Sequence, residues 1–151
     1  MDKYSEILKK ILIFSNDIFG IRIIPEEDEF TLLKRAVLGK NKLHHYLRKV
    51  KPEHSFKLMK NKNEIIAEIF SLEELSNILE IAPEEAIIFH IKDNRNDFAT
   101  WIRDVIGNKE LSEKLKNVNH KNPEELRWKI VSIIYNEIIT LKLSQLYTNN
   151  L

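Results

Sequence analysis

The chain has 151 residues, of which 43% are hydrophobic and 31% are charged. This length and apolar content predict one core and a single domain spanning residues 1–151. Cysteine is absent, which excludes disulfides, thiolate metal sites and cysteine nucleophiles. The first residues lack the pattern of a secretory signal, and no run of about 18 uncharged apolar residues is available to span a membrane. We therefore expect a cytoplasmic protein that does not insert into a membrane.

The net charge of +1 conceals an uneven distribution along the chain. Residues 31–63 carry ten Lys and Arg against one acid, a local charge of +9. Residues 64–113 carry four Lys and Arg against twelve acids, a local charge of −8. Such asymmetry can mark an electrostatic face for a partner. It is equally compatible with two segments that pack together and neutralise each other.

The N-terminal part, residues 1–53, is expected to be helical. Apolar residues recur at helical spacing over residues 3–19, which predicts a first helix. Pro25 suits the first position of a second helix that runs to about Leu38, and a third, basic helix is predicted over 41–50. Each glycine of the chain follows an amphipathic run, where a left-handed residue would end a helix; these are Gly20, Gly39 and Gly107.

The middle part, residues 54–117, begins with a change of pattern. Residues 54–70 predict a small β-hairpin, because alternating and β-branched stretches flank the turn-like Asn61-Lys62-Asn63. Ser71-Leu72-Glu73-Glu74 is a capping-box sequence and predicts the start of a helix. Helices are predicted in this part at 72–80, 83–91, 97–106 and 109–117.

The longest predicted helix is the last, over residues 122–147, opened by Asn122-Pro123. Its polar residues, among them Thr140 and Ser144, form one narrow stripe, and apolar residues cover the remainder. Such a helix is either central in the core or shared with a second copy of the chain, as in a homodimer. The predicted elements together define an α+β fold, predominantly helical, with about seven helices and one small hairpin.

The sequence offers few candidates for catalysis or metal binding. Its isolated glycines exclude a phosphate-binding loop and a dinucleotide fingerprint. Adjacent His44 and His45 point about 100° apart on a helix and are poor joint metal ligands. His90 lies seven residues before Asp97, and the two can be read as an acid–base pair or as a histidine bonded to a helix cap. Since no third group is visible, we favour the structural interpretation and expect no catalytic residue, metal or cofactor.

The basic segment gives the strongest suggestion of a binding surface. Lys and Arg side chains hold phosphate backbones, and nearby aromatic residues can stack on unpaired bases. Tyr46 and Phe56 are interleaved with the basic residues, but they suit the core equally well, and no named nucleic-acid motif is present. The candidate residues for binding a partner or a nucleic acid are Lys34, Arg35, Lys40, Lys42, His44, His45, Arg48, Lys49 and Lys51.

Residues 56–115 contain a series of short motifs. These are Phe56-Lys57-Leu58, Ser71-Leu72-Glu73-Glu74-Leu75, Phe89-His90, Asn96-Asp97-Phe98-Ala99-Thr100-Trp101-Ile102-Arg103-Asp104-Val105-Ile106-Gly107 and Glu110-Leu111-Ser112. In these motifs the chain resembles an uncharacterised family, found chiefly in archaea, whose pattern includes Asn-Asp-Phe-Ala-x-Trp-Ile-x-Asp-Val. The resemblance implies a related fold and no mechanism. Read physically, the motif residues with structural roles are His90, Asn96, Asp97, Phe98, Trp101, Ile102 and Gly107.

We expect the chain to be a non-enzymatic interaction or regulatory protein that binds a macromolecular partner, most simply another protein. The first alternative is an RNA- or ribosome-associated protein that uses the basic face of residues 34–62. The second alternative is an enzyme in which His90 and Asp97 act as an acid–base pair.

Overall fold

The computed structural model describes residues 43–92, 94–119 and 122–149. The helices predicted over residues 3–19 and 25–38 lie outside these ranges, so they stay predictions. The chain divides into two compact units, one formed by His45–Ile134 and the other by the residues before and after it. The elements below belong to the unit His45–Ile134, except for the first and last helices, each of which has residues in both units. The single domain of residues 1–151 remains a prediction.

The described residues form six α-helices and one two-stranded antiparallel sheet, which confirms the predicted α+β, predominantly helical class. The sheet precedes all but one of the helices along the chain. In order, the elements are α1 (Leu43–Leu47), a 3₁₀ turn (Pro52–His54), β1 (Phe56–Asn61), β2 (Glu64–Ile69), α2 (Leu72–Ile81), α3 (Glu84–His90), α4 (Asp97–Trp101), a π-helical turn (Ile102–Ile106), α5 (Lys109–Lys116) and α6 (Pro123–Asn149).

The hairpin is regular at its base and irregular toward its tip. Phe56 pairs with Ile69 and Leu58 with Ala67, and Phe56, Leu58 and Ile69 supply the buried face at the base. The register then shifts on both sides of Met59, which pairs with Ile65. Such shifts are β-bulges, in which one strand contributes an unpaired residue and the ladder is locally broken. The tip half of the hairpin is therefore held by fewer regular backbone bonds than the base.

The Ser71 cap at the start of α2 forms as predicted, and Glu74 reaches back one residue beyond the cap, to Phe70. The Ser71 hydroxyl accepts a hydrogen bond from the Glu74 amide at 3.2 Å, and the Glu74 carboxylate accepts from the Phe70 amide at 2.7 Å. These bonds satisfy amide groups that a helix start would otherwise leave without partners. Behind this cap, the apolar face of α2 is fully buried through Leu72, Leu75 and Leu79.

The helix predicted over 97–106 forms as two segments. Asn96 caps α4 by accepting from the Ala99 amide at 3.0 Å, as its sequence position predicts. The α-helical pattern ends at Trp101, and the Gly107 amide then donates to the Ile102 carbonyl at 2.8 Å, a bond that spans five residues. Gly107 has φ +88°, the left-handed conformation that favours glycine, and it ends the helix where the sequence predicts.

Helix α6 is anchored to α2 by a buried arginine. The Arg127 guanidinium donates to the Leu79 carbonyl at 2.7 Å, at the C-terminal turn of α2, and to the Glu124 carboxylate at 3.1 Å. From Tyr135 onward α6 belongs to the second compact unit, and there Thr140 and Ser144 are buried. The narrow stripe of polar residues is thus not uniformly solvent-exposed. Among the helices in the described part of the chain, none combines the length and apolar character needed to cross a membrane.

Candidate functional site

The densest cluster of chemically distinctive side chains surrounds Phe56. Its ring centroid lies 4.9 Å from that of His90, 5.2 Å from that of Phe98 and 5.8 Å from that of Trp101. The cluster thus joins β1 to the end of α3 and to α4. Tilted and edge-on ring contacts at these distances are favourable beyond the apolar area that they bury. This packing fixes the position of the His90 ring, the one titratable member of the cluster.

Both ring nitrogens of His90 have hydrogen-bond partners. Nδ1 lies 2.8 Å from the Asp97 Oδ2, and the Met59 backbone amide donates to Nε2 at 2.9 Å. An amide N–H can only donate, so Nε2 must be the unprotonated nitrogen and Nδ1 must carry the proton that it donates to Asp97. The two neighbours therefore specify one neutral tautomer.

Asp97 occupies the first turn of α4, where the helix dipole favours a carboxylate. Its second oxygen lies 3.3 Å from the Arg95 Nε, and its side chain is 30% exposed. The Arg95 guanidinium lies 5.1 Å from the centre of the Phe89 ring and also donates to the Phe89 carbonyl. Arg95 thus links Phe89 on α3 to Asp97 on α4.

Burial lowers the pKa of His90 below its ordinary value of 6.5, because the charged ring would lose the hydration that water gives it. The hydrogen bond and the charge of Asp97 act in the opposite direction, and the positive charge of Arg95 adds to the lowering. The side chain of His90 is 4% exposed. His90 is therefore neutral at neutral pH, in agreement with its two hydrogen bonds.

This geometry favours the structural interpretation of the His90–Asp97 pair. A general base needs a free nitrogen within hydrogen-bonding reach of the proton that it removes, whereas here Nε2 accepts from the backbone of β1. Among the described residues, no group of three or more His, Asp and Glu side chains is placed to hold a metal ion. The sequence analysis predicted that His90 and Asp97 can meet, and their side chains are hydrogen-bonded. It did not predict the bond from the Met59 amide.

The remaining motif residues lie in the core around this cluster. Phe98 and Ile102 are fully buried, and the Trp101 indole donates to the His54 carbonyl at 2.8 Å. Gly107 faces His45, whose Nε2 would lie 3.4 Å from a Cβ added at this glycine. Each of these residues contributes to packing or to a helix end, as the sequence interpretation expects.

The basic candidates do not share one environment. The Arg48 guanidinium donates to the carbonyls of His45 at 2.5 Å, Val105 at 2.7 Å and Ile106 at 3.2 Å, and so binds the end of the π-helical turn. The Lys49 ammonium lies 3.6 Å from the Glu74 carboxylate. His45 and Lys51 are exposed. Four further candidates lie outside the described residues, namely Lys34, Arg35, Lys40 and Lys42. The side chain of His44 is likewise not described.

Several large apolar side chains are exposed, which sequence periodicity does not reveal. They are Ile65 (53%), Ile66 (37%), Ile81 (83%), Ile88 (41%) and Trp128 (48%). Single exposed apolar residues are common, but apolar residues that neighbour one another on a surface are candidates for a contact with a partner. Ile81 and Ile88 flank the turn between α2 and α3, and Ile65 and Ile66 are adjacent on β2.

The chain is thus a mostly helical α+β protein with a His–Asp pair bonded into its core. Residues 92–148 match the model of a family described as a family of unknown function, DUF5752. The match contains the Asn96–Gly107 motif and continues through most of α6, so it starts later and ends later than the resemblance over 56–115. No match was found among curated proteins or among solved structures.

Proposed function

We propose that the protein is a non-enzymatic interaction domain that binds a macromolecular partner, a protein, through the turn between α2 and α3. The observation that carries this proposal is the exposure of two large apolar side chains, Ile81 at the end of α2 and Ile88 on α3. Together with Glu80, Glu84 and Glu85 we call these residues the corner surface. Ile81 is 83% exposed and Ile88 is 41% exposed. Burying Ile81 against a partner would contribute about 1.5–3 kcal/mol before the cost of association, and Ile88, which is already more than half buried, would contribute less.

The acidic residues of the corner surface indicate the chemistry of the partner. Glu80, Glu84 and Glu85 form no ion pair with other described residues, and Glu84 and Glu85 are exposed to solvent. On α3, Ile88 lies four residues after Glu84 and three after Glu85, so the three side chains share one face of the helix. A partner segment that alternates Lys or Arg with apolar residues would match this face in both charge and hydrophobicity.

The His90–Asp97 pair supports a non-enzymatic role. Both nitrogens of His90 are used within the fold, so proton transfer to a substrate would first require breaking a bond to Asp97 or to the Met59 amide. The enzyme alternative would gain support only from a substrate whose binding opened this site.

A comparative capture experiment tests the proposal. The wild-type chain, an Ile81→Ser/Ile88→Ser variant and a control Ile65→Ser/Ile66→Ser variant are used as bait in extracts of native cells. We expect a set of proteins that the wild type and the hairpin control retain and that the corner variant loses, with a Glu84→Lys/Glu85→Lys variant losing the same set. If the corner and hairpin variants retain the same proteins, the corner surface is not the binding site.

An RNA-binding function is the second candidate, because Lys51, Lys60 and Lys62 are exposed and form no ion pair with other described residues. By contrast, Lys57 pairs with Glu68 at 2.6 Å. Single-stranded RNA binding should weaken with salt with a log–log slope near −0.7 for each phosphate contacted. A Lys51→Glu/Lys60→Glu/Lys62→Glu variant should lose binding while keeping its stability. Absence of binding to the wild type at low salt would exclude this function.

We make three further proposals, on the family, the location and the oligomeric state of the protein. We propose that the Asn96–Gly107 motif belongs to the archaeal family that the sequence resembles, and the overlap of that motif with the matched residues 92–148 supports this assignment. We also propose a cytoplasmic location and, as an alternative role of α6, a homodimer. Sedimentation velocity at several protein concentrations tests the homodimer, which requires a sedimentation coefficient that rises with concentration toward the value of a dimer.

A further inference from the structure

The Met59–His90 hydrogen bond joins the edge of the hairpin to α3. Met59 lies on β1, and its backbone amide points away from the hairpin partner β2 toward the Nε2 of His90 at 2.9 Å. An edge strand presents unpaired backbone groups that need partners. Here a side chain from α3 supplies the partner, and the ring contacts to Phe56, Phe89 and Phe98 keep the imidazole in place.

This bond is formed where the hairpin is weakest. The register shifts on both sides of Met59, between Leu58 and Met59 and again before Asn61. Beyond this point the hairpin buries little, since Ile65 is 53% exposed and Ile66 is 37% exposed. Few buried contacts and a broken ladder make a segment open more readily than the rest of a domain. The tip half of the hairpin, residues 59–66, therefore depends on bonds such as the one that His90 provides.

We propose that His90 is a pH-sensitive latch, and that its protonation at Nε2 releases Met59 and the tip half of the hairpin from α3. The proton comes from solvent and takes the lone pair that accepts the Met59 amide. Two N–H donors then face each other, and the hydrogen bond is lost. The bond from Nδ1–H to Asp97 is kept, so the ring stays in the aromatic cluster with Phe56 while Met59 and the tip half of the hairpin move away from it. This device is independent of the function proposed for the corner surface.

The charges around His90 set the pH range of the latch. Asp97 on α4 and Arg95 in the preceding loop are the charged groups among the described residues that act on the ring, in opposite directions. On β1, Lys57 is turned toward Glu68, at 2.6 Å. Burial outweighs the Asp97 carboxylate and lowers the pKa of His90, so the latch is closed at neutral pH and opens in acid. The linkage is reciprocal: any ligand that holds the tip against α3 would lower this pKa further.

The test is an NMR pH titration of the isotope-labelled full chain. At neutral pH we expect Nε2 of His90 to be the unprotonated nitrogen. As the ring takes up a proton, the NMR signals of the Met59 amide and of residues 60–66 should change together. The protection factor of the Met59 amide against hydrogen exchange, which corrects for the intrinsic exchange rate, should fall about tenfold. Amides of α5 should stay unchanged across the same range.

Two variants separate the latch from general acid unfolding. His90→Gln cannot titrate, and its carbonyl can accept from the Met59 amide, so the pH-dependent change at residues 59–66 should disappear. His54→Gln is the matched control, because the side chain of His54 is exposed, and it should leave the change intact. If His90→Gln does not fold, Asp97→Asn replaces it, and the midpoint should then move to lower pH.

Three results would overturn the proposal. The first is a His90 ring that carries its proton on Nε2 at neutral pH. The second is a Met59 amide that does not respond when His90 titrates. The third is a change at residues 59–66 that persists in His90→Gln, or a midpoint that fails to move in Asp97→Asn.

Discussion

The two tryptophans of the chain allow a matched test of the fold. Trp101 is 7% exposed and lies in the aromatic cluster, with its ring centroid 5.8 Å from that of Phe56, whereas Trp128 on α6 is 48% exposed. Replacing a buried Trp by Ala removes its packing and leaves a cavity, which costs about 3–5 kcal/mol. The Trp101 indole also loses its hydrogen bond to the His54 carbonyl. That carbonyl then loses its side-chain donor, which adds to the cost.

We therefore expect Trp101→Ala to lower the free energy of unfolding by about 3–5 kcal/mol. Trp128→Ala should lower it by about 1 kcal/mol, since this side chain is half exposed. Trp101→Phe, which keeps most of the ring packing, should fall between the two. Urea unfolding followed by far-ultraviolet circular dichroism measures all three without depending on tryptophan fluorescence. Equal losses for Trp101→Ala and Trp128→Ala would refute the assignment of Trp101 to the core.

Three further predictions concern the hydrogen bonds, backbone and charge of the same unit. Arg48→Ala leaves the carbonyls at the end of the π-helical turn without their donor and should cost about 1.5–3 kcal/mol in urea unfolding, whereas Lys49→Ala should cost less than about 1 kcal/mol. Gly107→Ala places a side chain at φ +88° and should cost about 1–2 kcal/mol by the same measurement; an unchanged midpoint would contradict the left-handed assignment. The pKa of His90 is lower in the folded chain than in the unfolded chain. Below pH 6.5 the unfolded chain therefore binds a proton at His90 more readily than the folded chain does. Stability should therefore fall as the pH drops from 6.5 toward the folded pKa and then level off for this group, and His90→Gln should remove that part of the pH dependence.

The local signals in the sequence predicted the elements of the described unit well. The capping box placed the start of α2 correctly at Leu72, and the polar residue at Asn96 placed the start of α4. The hairpin was predicted over 54–70, and its strands occupy Phe56–Asn61 and Glu64–Ile69. Helix caps, turns and strand alternation each depend on a few neighbouring residues. The interactions that stabilise them are also local, so they can be predicted from short stretches of sequence.

What the sequence could not predict depends on contacts between residues far apart in the chain. The π-helical turn at Ile102–Ile106 ends where Arg48, 57 and 58 residues away, binds its carbonyls. Met59 reaches His90 through a backbone amide, which has no residue-type signature at all. Ile87 is buried and Ile88 is exposed, although they are identical in kind and adjacent in α3. Which of them faces the core is decided by the direction from which β1 packs against the helix.

The segment that matches the family model uses its polar residues to hold the fold together. Asn96 caps α4 and also donates to the Leu115 carbonyl at 2.9 Å, and Ser112 donates to the Ala99 carbonyl at 2.7 Å. Both bonds join α4 to α5, so the polar groups of Asn96 and Ser112 are used within the fold. The corner surface at residues 80–88 lies outside the matched range of 92–148. Substitutions at Ile81 and Ile88 therefore test the proposed binding surface without changing a residue of the matched segment.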